Sequence, residues 1–184
     1  MGANISKNVC VMNSFKSFAE WQSIKEMSLT SRAKELSQDE AAINPDFEYP
    51  MELFNLWLSM PGEVPHFNEI TASIFSARIL PSVFIMDVVE HGSDFRWRLF
   101  GTDHAKRFGS EVTGKRMSAV AKFDRSAGSS LSFGRKCYDE RAPVFFKTEY
   151  FDGQIVKKAT CAVALPLAGE NGGVERLFGC SAWC

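Results

Sequence analysis

Histidine is scarce in this chain, with three among 184 residues, and neither sign of charge dominates. Lys plus Arg number 21 and Asp plus Glu 22, a formal net charge of −1 at pH 7. That balance argues against a nucleic-acid binder driven by a global positive field. No apolar run reaches the ~18 residues that a membrane helix needs, and the start lacks the charged-then-apolar pattern of an export leader, so the chain reads as cytoplasmic, with no membrane partner. Its five cysteines, Cys10, Cys137, Cys161, Cys180 and Cys184, are odd in number and form no C-x-x-C pair, so neither a disulfide framework nor a zinc site is expected. The opening MGANIS fits a Gly2/Ser6 N-myristoylation pattern, with an ordinary N-terminus as the plain alternative. What is present is a 45% hydrophobic chain with 16 Phe, long enough for one domain with its own core.

Residues 1–60 read as a helical extension, and residues 61–184 as the domain proper. Phe15, Phe18, Trp21 or Ile24 and Met27 recur near helical spacing after the capping candidates Asn13 and Ser14, and Thr30 to Ile43 is rich in helix formers. Pro50 suits a first helical turn, and Leu53, Phe54, Leu56, Trp57 and Leu58 make that helix apolar nearly all round, so it must be buried. After the MPGEVP break, Phe67, Ile70, Ile74 and Phe75 suggest one more short helix before Pro81.

Beyond Pro81 the period becomes strand-like. VFIMDVV (Val83 to Val89), the turn Glu90 to Ser93, and DFRWRLF (Asp94 to Phe100) read as an antiparallel hairpin. Pairing Val89 with Asp94 sets Val88 opposite Phe95, Met86 opposite Trp97 and Phe84 opposite Leu99 on an apolar face, with Asp87 opposite Arg96 and diagonal to Arg98 on the other. Thr102 caps a short helix ending at Gly109, and Asp124 a longer one running towards Tyr138. Strands then resume around Asp152 and Gly153, a favoured hairpin dipeptide; a turn centred there places Tyr150 opposite Ile155, Phe146 opposite Ala159 and Val144 opposite Cys161. A last strand runs from Val174 to Trp183 after GENGG.

Two strands, about forty helical residues and three strands imply an α+β fold: a five-stranded antiparallel sheet with helices on one face. Val83, Ile85 and Val89 face the other side, which the N-terminal helices or a second subunit must cover.

The strings LPSVFIMDV (Leu80 to Val88), FRWRLFGT (Phe95 to Thr102), TGKR ending at Arg116, Ala142 to Val144, and LPL (Leu165 to Leu167) come in an order that resembles a bacterial single-domain subgroup of PAS-like sensory domains. The F-x-(aromatic)-R-L-x-G-T string is the most specific part, and Trp57 looks like the helical lead-in of that subgroup. The resemblance implies a sensory module that binds a small molecule in the cup between sheet and helices, or that only dimerises. Phe84, Met86, Trp97, Phe146 and Cys161 are expected to point at the helices, with Phe108 and Tyr138 facing back, an enclosure suited to a small apolar or planar ligand. No cofactor is named by any string. The chain has no room for an output enzyme, so a separate signalling protein is expected to read it, and a homodimer is expected.

GSEVTGKR (Gly109 to Arg116) nearly matches a phosphate-binding loop, but Arg116 stands where a magnesium-holding hydroxyl is needed and no strand precedes it. Arg98 could hold an anionic ligand or a partner's carboxylate through its planar fork, or only balance Asp87. His91 is expected exposed in a turn and His104 exposed in a capped helix, while His66 is expected in a loop between Pro65 and Phe67. Chromophore chemistry at Cys137 or Cys161 is weighed against the ordinary role of free Cys as a small buried hydrophobe. A small α+β enzyme using the same cavity, and a ligand-free dimerisation module, are the competing functions.

Overall fold

The β-branched and aromatic runs after Pro81 form the strands expected of them. In a computed structural model, residues 30–108, 111–122 and 125–184 are described. The strands are β1 (Thr30–Leu36), β2 (Val83–Val89), β3 (Asp94–Phe100), β4 (Val144–Asp152), β5 (Ile155–Ala168) and β6 (Val174–Trp183). The helices are α1 (Gln38–Ala42), α2 (Glu48–Leu58), α3 (Thr102–Phe108), α4 (Met117–Ala121) and α5 (Arg125–Glu140). The fold is α+β, with an antiparallel sheet ordered β1-β4-β5-β6-β2-β3. The expected helix from Phe15 to Met27, the Gly109 helix end, the Asp124 cap and the side chain of Phe108 lie outside what is described. Among the described residues no helix is long and apolar enough to cross a membrane.

The sheet has six strands rather than five, because the helix-rich stretch after Thr30 opens as β1 and pairs along β4 from Thr30 opposite Phe151 to Leu36 opposite Phe145. Helix begins only after Ser37, where a capping box ties the two ends of a turn. Ser37 N–H donates to Glu40 Oε2 at 2.7 Å, and Glu40 N–H donates to Ser37 Oγ at 3.2 Å. Between α2 and β2 the expected helix is instead three 3-10 turns, Phe67–Glu69, Ala72–Ile74 and Leu80–Ser82.

Helices cover both faces of the sheet, not one. On one side α2 seats Leu53, Phe54 and Trp57 over Phe145, Val163, Leu165, Phe178 and Cys180. Phe54 meets Phe145 edge-on at 5.2 Å, and Trp57 Nε1 donates to Pro166 O at 2.9 Å. Val83 and Ile85 are thereby covered from within the chain. Residues before 60 thus share one core with those after it. On the opposite side α4 and α5 pack over Phe84, Met86, Phe95, Phe146 and Leu177.

Both hairpins depart from their simple registers. In the first, pairing holds from Val89–Asp94 to Met86–Trp97, and then a bulge at Arg98 sets Ile85 opposite Leu99 and Phe84 opposite Phe100, not Leu99. In the second the turn centres on Gly153 and Gln154, with Gly153 taking the positive φ of +62° that its missing side chain permits, so Asp152 pairs with Ile155. A bulge then skips Lys157, and Phe146 lies opposite Ala162 instead of Ala159. The shift of three residues exchanges the two faces of β5 relative to the expected pairing. Burial sets this register: it stacks Phe145, Val163 and Leu165 beneath α2 and leaves Ile155 and Val156 exposed at the tip. Of GSEVTGKR, Gly114 and Lys115 lie beside the outer edge of β3, where Trp97 N–H donates to Lys115 O at 3.1 Å and Gly114 N–H donates to Trp97 O at 2.7 Å.

Candidate functional site

On the α5 side the centre of the sheet is built from small residues. Ala162 and Ala164 of β5 stand beside Ser181 and Gly179 of β6. A Cβ at Gly179 would lie 2.3 Å from Phe84 Cζ, so only glycine lets that ring lie across the sheet. The facing side of α5 is equally thin, with Ala127, Ser130 and Gly134 at helical spacing. Two thin surfaces held apart by large flanking rings cannot close on each other, and a cavity of about 110 Å³ remains.

Aromatic side chains wall both ends. At one end Trp97 meets Phe84 edge-on at 5.7 Å and Phe100 at 5.0 Å, and the His104 ring lies 5.1 Å from Phe100. At the other, Tyr150 and Trp183 lie 5.9 Å apart, with the Lys158 ammonium 4.7 Å above the indole of Trp183. Phe146, Met86 and Met117 complete the apolar lining, and Thr148, Thr160, Ser126, Ser130 and Ser181 supply hydroxyls. Among the described residues, no carboxylate lines it.

Two polar groups stand out. Trp97 Nε1 is, among the described residues, the one buried side-chain nitrogen or oxygen without a hydrogen-bond partner. An indole N–H is only a donor, so nothing but an acceptor relieves it. His104, expected to be exposed, is 8% exposed and lines the same end. Its Nε2 lies 2.7 Å from Ser82 O, and because a carbonyl only accepts, Nε2 carries the proton. Ser82 Oγ is directed instead to Asp103 Oδ2 at 3.2 Å.

Of the side chains singled out from the sequence, Phe84, Met86, Trp97 and Phe146 come together on the cavity wall. Arg98 does not: it sits at the bulge, its side chain about half exposed, 3.6 Å from Asp87, which also holds Arg176 at 3.3 Å. Tyr138 packs at the edge of the α5 layer, its ring filling the space a Cβ on Gly92 would need. Cys161 is on the opposite face, in the α2 layer, because of the exchanged faces of β5. Nor is it a free thiol. Cys161 and Cys184 form a disulfide, with Cα atoms 6.3 Å apart, which the odd cysteine count concealed. Cys137 and Cys180 are buried and outside any disulfide, and burial, with a smaller effect from the Glu140 charge, pushes the Cys137 thiol well above its ordinary value.

Residues missed from the sequence include Ala162, Ala164, Ser130, Gly134, Thr148, Thr160 and Ser181. Their smallness is the signal, but it has meaning only once the face of each strand is known. A wider recess of about 620 Å³ on the surface is lined by Asp46, Glu48, Tyr49, Asp103, Lys106 and Trp183 among others. Asp46 there is engaged by Lys147 at 3.0 Å, and Asp103 by Lys106 at 3.8 Å. Asp46, Cys161 and Cys184 bring potential ligand atoms within 4.8 Å of one another, but the bridged sulfurs are not thiolates, and three donors fall short of a closed structural zinc site. The small cavity is the more enclosed and more apolar of the two sites, which is the character of a small-molecule site.

The chain matches no known family model, and no curated protein matches it.

Proposed function

We propose that the chain is a non-catalytic sensory module of the PAS-like kind, which holds a small ligand between its sheet and α5 and relays the change through its N-terminal segment to a separate signalling protein. The observation that carries this reading is the partly enclosed, largely apolar cavity lined by Trp97, whose indole N–H is buried without a partner. The element order supports it: one hairpin, a helical crossover, then three strands, with the last strand lying between the two hairpins. β5 and β6 also supply a physical route for the relay. They turn Ala162, Ala164 and Ser181 to the cavity, and Val163, Leu165 and Cys180 to α2, so a displaced floor reaches α2 directly.

A homodimer and a cytoplasmic setting, without nucleic acid or membrane as partner, belong to the same proposal. In that compartment, where such bridges are ordinarily kept reduced, Cys161 and Cys184 would stand as a thiol pair behind Thr160 and Trp183 of the cavity wall. The enzyme reading retains one observation, the buried His104 on the same wall.

Native mass spectrometry of the purified chain tests the proposal. A retained small molecule, or saturable uptake of small apolar fragments with altered amide exchange in α2, is the expected result. Bare protein that takes up no fragment would remove the sensor reading. Turnover of any substrate that is lost on His104→Gln would replace it with the enzyme.

A further inference from the structure

We infer that the molecule the cavity accepts is a single planar ring carrying a neutral hydrogen-bond acceptor, which takes the Trp97 indole N–H; this rests on the ligand-binding reading above. Size sets the first limit. An apolar cavity of roughly 150 Å³ accommodates benzene, so about 110 Å³ in a partly open cavity admits one ring with a short substituent and excludes a fused polycycle.

Charge sets the second limit. Among the described residues no carboxylate lines the cavity to neutralise a cation, and Lys158 lies at the end occupied by Tyr150 and Trp183 rather than beside Trp97. Among the described residues a cation next to Trp97 would therefore be desolvated without a counter-charge, and an anion there would meet at that end only the ring of His104, which already engages Ser82 O. A neutral oxygen or ring nitrogen has no such penalty.

The donor sets the third. Among the described residues the ring contacts of Trp97 are Phe84 and Phe100, which offer no acceptor, whereas a buried water is ordinarily held by two to four polar partners. A ligand acceptor meets the need of the N–H with one bond, while the ring of the same ligand covers the neighbouring aromatic surface.

Acetophenone and α-methylstyrene form a suitable pair of probes, since they are nearly identical in shape and differ by a carbonyl oxygen against a CH₂. Binding is measured on the full chain by titration, following the indole ¹H–¹⁵N signals, with that of Trp97 assigned from Trp97→Phe. The expected result is a preference of about fivefold or more for acetophenone, the size of one neutral hydrogen bond, with a downfield shift of the Trp97 indole proton by acetophenone alone. In Trp97→Phe the preference should fall to about one. Equal affinity for both probes in the parent protein, or a preference that survives Trp97→Phe, overturns the inference while leaving a cavity that binds apolar rings. Failure of both probes to bind at saturation overturns the ligand-binding reading itself. The affinity ratio of the two probes in the parent protein does not depend on the folding of the variant.

Discussion

Filling the cavity from its floor is the most direct perturbation the structure offers. Ala162 is 2% exposed, lines the cavity, and sits between Phe146 of β4 and Ser181 of β6. Ala162→Ile adds three carbons on a strand position that favours β-branched side chains. At about 0.8 kcal/mol per buried CH₂ the gain is about 2.4 kcal/mol. Removing a void of about 110 Å³ at about 24 cal/mol per Å³ gives about 2.6 kcal/mol by a separate route. Both are ceilings, since water on the lining hydroxyls must be displaced. At roughly 2–4 °C per kcal/mol for a chain of this size, the midpoint of thermal unfolding should rise by up to about 5–10 °C. Uptake of acetophenone should be lost at the same time. Were the interior already filled, the same substitution would overpack it and cost about 1–3 kcal/mol. Calorimetry and probe titration on the parent and the variant decide between these outcomes. A fall of several degrees with probe binding retained refutes the account of the cavity.

The Cys161–Cys184 bridge closes a separation of 23 residues, so chain entropy predicts a contribution of up to about 3.5 kcal/mol. Melting with and without dithiothreitol should show that loss, and Cys184→Ser should remove the sensitivity to reductant. The Cys137 thiol should resist iodoacetamide in the native protein at about pH 8.5, where an open thiol is half ionised, and react after denaturation; peptide mapping reads the difference. On α2, Glu52 feels an upward push from burial, but hydrogen bonds from Ser76 and Arg78 and the Arg78 charge together outweigh it and hold its carboxyl below 4.5. A depressed folded value means that its stabilisation is present above the ordinary carboxylate range and lost as pH falls through the folded value. The stability gap between the parent and Glu52→Gln should therefore close in acid, as followed by denaturant melts across pH.

The hairpins were legible because alternation and turn residues are local signals: Val83 to Val89 and Asp94 to Phe100 are strands over the expected residues. The stretch TSRAKEL was not, since Ala, Lys, Glu and Leu are good helix formers and only pairing with β4 overrides them. Ser37 and Glu40, three apart, were the available sign that helix starts later. Half of the side chains singled out from the sequence meet on one cavity wall for a similar reason. Phe84, Met86, Trp97 and Phe146 declare themselves by size, whereas the placement of Cys161 depended on a turn that the chain makes one residue later and on a bulge at Lys157. Bulges at Arg98 and Lys157 arise from the fit of whole layers, so no local pattern announces them. The lone N–H of Trp97 is likewise a property of its surroundings, which Met86, Phe84 and Phe100 create only on folding.

β5 serves two differently furnished rooms through one wall, and this makes its length unforgiving. Deleting a single residue near its middle would swing Val163 and Leu165 into the hollow and turn the alanines towards Phe54 and Trp57, crowding one room and emptying the other at a stroke. Insertions and deletions should thus be tolerated at the Gly153–Gln154 tip and hardly at all within residues 159–167.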